Sequence, residues 1–197
     1  AVNLHQSGRL PEARECYDRL YALGCRHGII QVQLWGLTGR LAMSLLIGDD
    51  PEAIDLLDQL LSAHADLPGG LSRADAILAF GLMAQARMRA GDADKAQEAA
   101  GRVVRFMEES ETISFYLLPG YQGLGEALTT LFASRTTTDS RQERRMLEIT
   151  LKTFRSFAMM YPTARPMSLL WRGVHARLLG REAKAQRLIA KCVDAAS

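Results

Sequence analysis

The stretch Gly8-Arg-Leu-Pro-Glu-Ala13-Arg-Glu-Cys-Tyr17-Asp-Arg-Leu20 decides how the rest of the chain is read. Its glycine is followed at +5, +9 and +12 by Ala13, Tyr17 and Leu20. Residues three and four apart share one face of an α-helix, so these three line a single stripe. A glycine just ahead of such a stripe tolerates the positive φ that ends a preceding helix. The stretch therefore reads as a helix end, a tight turn and a new amphipathic helix.

The spacing returns three times. Gly48 leads Ala53, Leu57 and Leu60; Gly91 leads Ala96, Ala100 and Val103; Gly180 leads Ala185, Ile189 and Cys192. The glycines stand 40, 43 and 89 residues apart. The last interval is about twice the others, which places a degenerate unit inside it. A small residue at +5 suits two helices that cross closely. Asp50-Pro51-Glu52 adds a carboxylate cap, a proline at the first helical position and an acid in the first turn, and Asp92 caps in the same way after Gly91.

An amphipathic segment precedes each glycine. The pattern predicts partner helices over 28–47, 70–90, 113–134 and 165–179. The helices that follow the turns are predicted over 11–23, 51–64, 93–109, 140–160 and 181–195. Residues 1–7 are the expected stub of a first partner helix, giving about ten helices in five hairpins. Ser134-Arg-Thr-Thr-Thr-Asp-Ser-Arg141 holds no apolar residue and reads as a loop at the weak unit's turn.

Gly8, Leu10, Ala13, Tyr17 and Leu20 resemble the tetratricopeptide repeat, whose motif sets a turn glycine before Ala and aromatic positions at these offsets. The other units match more loosely, and the spacing exceeds the family's ~34 residues. HEAT-type repeats have a similar period but fit the Gly/Ala spacing less well. The resemblance implies an all-α fold: a right-handed superhelical stack of antiparallel helical hairpins, forming one tetratricopeptide-like domain over 1–197. Gln33-Leu-Trp-Gly-Leu37, Ser114-Phe-Tyr-Leu-Leu-Pro-Gly-Tyr121, Tyr161-Pro-Thr-Ala-Arg-Pro166, Leu170-Trp-Arg-Gly173 and Leu179-Gly-Arg181 also resemble phrases of one bacterial group. In that group a long helical-repeat region follows a class III adenylate/guanylate cyclase or kinase domain and an AAA-type ATPase module. The resemblance implies a regulatory region of a multidomain signalling protein. A first residue that is not Met, and ends that fall within helical patterns, add the expectation that these residues are a piece of a longer chain.

Composition narrows the function. Hydrophobic residues make up 48% and charged residues 23% of the 197, enough apolar material for a real core. The net charge is +2, from 24 basic and 22 acidic residues, which argues against a nucleic-acid partner. The most apolar stretch, 28–48, is broken by Gln31, Gln33 and Arg40, so it reads as a buried helix and no membrane association is expected. Cys16, Cys25 and Cys192 are odd in number and widely spaced, which points to reduced thiols, packed mostly as small hydrophobes, and a cytoplasmic setting.

Catalytic signatures are missing. There is no Walker sequence, no nucleophile elbow and no H-E-x-x-H, and His5, His27, His64 and His175 fall in separate units. No catalytic residue, cofactor or metal ligand is therefore assigned. Gly120-Tyr-Gln-Gly-Leu-Gly125 has the wrong glycine order for a dinucleotide loop and reads as close helix packing. The acids at 49–50, 92–94 and 108–111 read as caps or solvated helix ends, and Arg141, Arg144 and Arg145 as a solvated face.

Stacked hairpins offer a concave face lined by the first helix of each hairpin. The tetratricopeptide alignment implies Trp35, Thr38, Ala42 and Leu45 there in the second unit. It implies Leu78, Gly81, Gln85, Met88 and Arg89 in the third, and Leu170, Val174 and Arg177 in the fifth. The competing reading has Trp35, Met88 and Trp171 filling the core. The expected partner is a protein, a peptide or another domain of the parent chain, with homo-oligomerisation through exposed repeat ends as a further option. The expected role is a non-catalytic interaction or regulatory module. The alternatives are a ligand- or peptide-sensing domain that switches an attached domain, and a self-assembly module.

Overall fold

The computed structural model describes residues 4, 7–47, 51–64, 71–109, 114–134 and 141–196. Among them are nine α-helices and no strand. They are α1 (Leu10–His27), α2 (Ile30–Ile47), α3 (Pro51–His64), α4 (Arg73–Arg89) and α5 (Ala93–Glu109), then α6 (Leu118–Ser134), α7 (Arg141–Met160), α8 (Arg165–Leu178) and α9 (Glu182–Ala196). Short 3₁₀ turns, Phe115–Leu117 and Pro162–Ala164, lead into α6 and α8.

The turn glycines behave as their backbone freedom predicts. Gly8, Gly91 and Gly180 have φ of 76°, 81° and 69°. After each, the next N–H donates to a carbonyl five residues back: Arg9 to Leu4, Asp92 to Arg87 and Arg181 to Ala176, at 2.9 Å in all three. This satisfies a carbonyl that the helix end leaves unpaired. Gly48 and Asp50 lie outside the described residues. Asp92 does cap α5, its Oδ1 accepting from the Lys95 N–H at 3.2 Å. The alanines at +5 (Ala13, Ala53, Ala96 and Ala185) are all buried.

Three expectations need correction, and one is the helix predicted over 113–134, which starts at Leu118 because a 3₁₀ turn comes first. The first helix after a turn runs to His27 rather than to 23, because Gly24 is not a terminator. Its backbone lies flush against Gln33 of α2, where a Cβ would meet the Gln33 nitrogen at 2.6 Å. The terminator is Gly28, at φ 66°, with the Ile29 N–H donating to the Gly24 carbonyl at 3.0 Å. Likewise α4 starts at 73 rather than 70, because the Ser72 hydroxyl oxygen accepts from the Asp75 N–H at 3.1 Å and so fixes the first turn.

Each of α2, α4, α6 and α8 packs on the helix that follows it: α3, α5, α7 and α9. The same four also contact one another in series, α2 with α4, α4 with α6 and α6 with α8. A single apolar core runs from Leu34 of α2 to Ala164 ahead of α8. Its aromatic centre joins α6 to α7, with Tyr121 stacked on Phe154 at 5.4 Å and tilted against Phe157 at 4.9 Å. Tyr17, with Ala13 and Met43, makes a smaller cluster between α1 and α2. The glycine-rich run of α6 does serve close packing: a Cβ on Gly81 of α4 would lie 2.3 Å from the Gly120 carbonyl oxygen.

Candidate functional site

The row α2–α4–α6–α8 carries all the residues singled out for a binding face. The structure sorts them into three groups.

The first group centres on a residue the pattern did not single out. Asp75, in the first turn of α4, is 1% exposed. Its Oδ1 accepts from the Trp35 Nε1–H at 2.9 Å, and its Oδ2 accepts from Gln31 Nε2 at 3.0 Å and the Ser72 hydroxyl at 2.6 Å. A buried carboxylate persists only with such donors, and the N-terminus of α4 adds a favourable dipole. Trp35 is thus not a core residue: it stays 42% exposed while its indole N–H is held. A serine three residues before an acid at a helix start was the available signal; the long-range donors from α2 left none.

The second group joins three helices. The Arg89 guanidinium of α4 makes a forked contact with the Glu126 carboxylate of α6, at 2.6 and 2.9 Å, and donates to the Leu45 carbonyl of α2 at 2.7 Å. Gln85 Nε2 donates to the same carboxylate at 2.8 Å. Burial pushes the Glu126 carboxyl up. The hydrogen bonds from Arg89 and Gln85, with the Arg89 charge, outweigh it and leave the group below the usual carboxylate range. Thr38 is buried and its hydroxyl donates to the Leu34 carbonyl at 2.8 Å, so it offers nothing to a partner. Gly81 is likewise consumed by the α4–α6 crossing. Ala42, Leu45, Leu78 and Met88 are half-buried against the core.

The third group does not join the others. Leu170 and Val174 are half-buried on α8. Arg177 points toward Glu182 of α9, at 3.6 Å, rather than along the row. Trp171 packs its ring against Gly125. Gln85 and Arg89 with Glu126, beside Met88 at the C-terminal end of α4, are therefore one coherent part of the face, and Trp35 on Asp75 at the N-terminal end of α4 is a separate one.

A second feature lies on other helices. An open cavity of about 220 Å³ sits between α3 and α5 over α4. Phe80 and Met83 line it, with Arg102 stacked over the Phe80 ring at 5.1 Å. Its cations are already compensated: Arg87 reaches Asp58 at 3.2 Å and Arg102 reaches Glu98 at 2.9 Å. No nucleophile there is paired with a base. Among the described residues no group of three or more His, Cys, Asp or Glu could hold a metal. No described helix is long and apolar enough to cross a membrane. The three thiols are free; Cys16 and Cys192 are half-buried, while Cys25 is exposed rather than packed.

No protein family, curated protein or solved structure matches this chain.

Proposed function

We propose that the chain is a helical-repeat interaction module, a tetratricopeptide-like stack whose first helices present a peptide-binding face. The observation that carries this reading is the serial contact of α2, α4, α6 and α8, with polar groups bridging α2 to α4 and α4 to α6. Recurrent positive-φ glycines and buried +5 alanines support equivalent units.

The phrases that resemble cyclase- and kinase-linked regions fall at helix starts and crossings. Gln33 and Gly36 meet α1, while Ser114–Tyr121 and Tyr161–Pro166 form the 3₁₀ starts of α6 and α8. They support a shared architecture, and attachment to a signalling domain is the context we propose for it.

Selection from a random peptide library on the purified chain tests the reading. A consensus that binds the wild type and loses most of its affinity in Trp35→Ala and Met88→Ala is expected. No enrichment, or a consensus indifferent to both changes, overturns it. Small-angle scattering tests the stack itself: a radius of gyration near the ~16 Å of a compact 197-residue domain would refute elongation.

A further inference from the structure

The charges of this chain are not evenly spread. Residues 141–197 hold 12 of the 24 Lys and Arg but only four of the 22 Asp and Glu, a net charge of +8. Residues 1–140 carry the balance, a net charge of −6. The overall +2 conceals both.

The two parts also differ in how the cations are satisfied. In α2, α4 and α5, Arg40, Arg73, Arg87, Arg89 and Arg102 each reach a carboxylate of another helix or a neighbouring turn. In α7, α8 and α9 only Arg144, Arg145 and Arg177 make an ion pair among the described residues, with Glu148, Glu108 and Glu182.

Four of the other nine, Arg155, Arg172, Arg181 and Lys184, gather near α8, on which α7 and α9 both pack. Arg172 of α8 is half-buried, and its near charged neighbour is another guanidinium, Arg155 of α7. Burial first, then the Arg155 charge, lower the Arg172 pKa from its ordinary value. One turn further along α8, half-buried His175 has as charged neighbours Glu148 and Arg144 of α7 and Arg181 and Lys184 at the start of α9. Arg144, Arg155, Arg172, His175, Arg181 and Lys184 thus gather along α8 with two carboxylates, Glu148 held by Arg144 and Glu182 by Arg177. A half-buried guanidinium facing its like is costly unless an anion comes to it.

We propose that this basic surface docks an acidic, partly apolar segment of a partner polypeptide. The apolar part follows from Met159, one helical turn beyond Arg155 on α7 and 77% exposed, with Met160 beside it at 45%. Flexible, exposed methionines next to cations suit a peptide that alternates carboxylates with apolar side chains. A nucleic acid suits the surface less well. It would bring a continuous run of phosphates past exposed Glu108 and Glu109 at the end of α5 and toward a chain remainder of −6, and the cluster offers it no exposed aromatic ring for stacking. The surface is distinct from the Trp35–Arg89 face, so the two stand or fall separately.

The test is fluorescence polarisation with a labelled Glu-rich peptide containing Leu, its Gln-for-Glu counterpart, a single-stranded oligonucleotide of equal charge, and anionic vesicles. The Glu peptide is expected to bind and to weaken as salt rises, and the Gln peptide is not. Arg155→Glu with Arg172→Glu should lower affinity at least ~10-fold. Arg155→Glu with Lys184→Glu, both exposed sites, should do the same without touching a half-buried position. Arg26→Glu with Arg105→Glu makes the same change in net charge elsewhere and should leave affinity within about twofold. Absence of Glu-peptide binding, equal binding of the Gln peptide, equal loss in the control variant, or tighter binding of the oligonucleotide or vesicles would overturn the proposal.

Discussion

Replacing Gly81 by alanine should destabilise the protein, although alanine is the better helix former. Two opposing effects set the size. Glycine within a helix is unfavourable relative to alanine by about 1 kcal/mol, which favours the substitution. Against this, the new Cβ would stand 2.3 Å from the Gly120 carbonyl oxygen and 2.8 Å from the Gly120 carbon atoms. Ordinary contact begins near 3.4 Å, and the obstructing atoms are helix backbone, which cannot rotate away. α4 and α6 must part by about 1 Å along their most intimate crossing. Overpacking of this kind costs about 1–3 kcal/mol, and a backbone obstacle puts Gly81 at or beyond the upper end. A net loss of about 2 kcal/mol is expected, a fall in Tm of about 4–8 °C for a chain of this size. Gly101→Ala is the matched control. Gly101 sits inside α5, where a Cβ meets only Met146 Sδ at 4.0 Å, so propensity acts alone and Tm should rise by about 2–4 °C. Urea and thermal unfolding followed by circular dichroism read both. If Gly81→Ala melts at or above the wild-type temperature, the α4–α6 approach has been misjudged and the serial packing of the first helices loses its tightest contact.

Three further outcomes follow from other positions. Gly91→Ala has free space around its Cβ but must hold φ near 81°, so it should cost about 1–2 kcal/mol, and Gly91→Asn less; equal stability of the alanine variant would refute the backbone account. Asp75→Ala removes the acceptor shared by Trp35, Gln31 and Ser72 and should cost about 1–3 kcal/mol. In a Trp171→Phe background its Trp35 emission should move to the red, and an unchanged spectrum would mean that the indole is not held by this carboxylate. His175 has its pKa lowered, chiefly by burial and further by Arg144, Arg181 and Lys184 against the opposing pull of Glu148. The folded state therefore binds fewer protons than the unfolded chain just below the ordinary value of about 6.5, and stability should fall as pH drops through that window. His175→Gln should flatten this part of the urea-midpoint profile between pH 8 and 5, and an unaltered slope would show that other groups govern it.

The sequence by itself determined the helical class, the order of long and turn-bounded helices, and the places where glycine ends one of them. These are local matters. A positive φ at Gly91 or Gly180 is a property of one residue and the carbonyl five residues behind the next, and burial at Ala13, Ala96 or Ala185 follows from the face on which its helix lands. The 3₁₀ starts of α6 and α8 escaped because a proline near a helix start fits either geometry. Only the tertiary structure decided what the candidate face consists of. Thr38 and Gly81 were spent on internal packing, Arg177 turned toward α9, and Asp75 and Glu126 became the acceptors that organise Trp35 and Arg89 from 40 and 37 positions away. The basic surface lies between the two cases. Its excess of cations from residue 141 onward was countable in the sequence, but the approach of Arg155 to Arg172, and of Arg144 and Lys184 to His175, required α7 and α9 to pack on α8. Helix formation is written in spacing of three and four residues, whereas charge pairing across helices depends on distances that no linear spacing encodes.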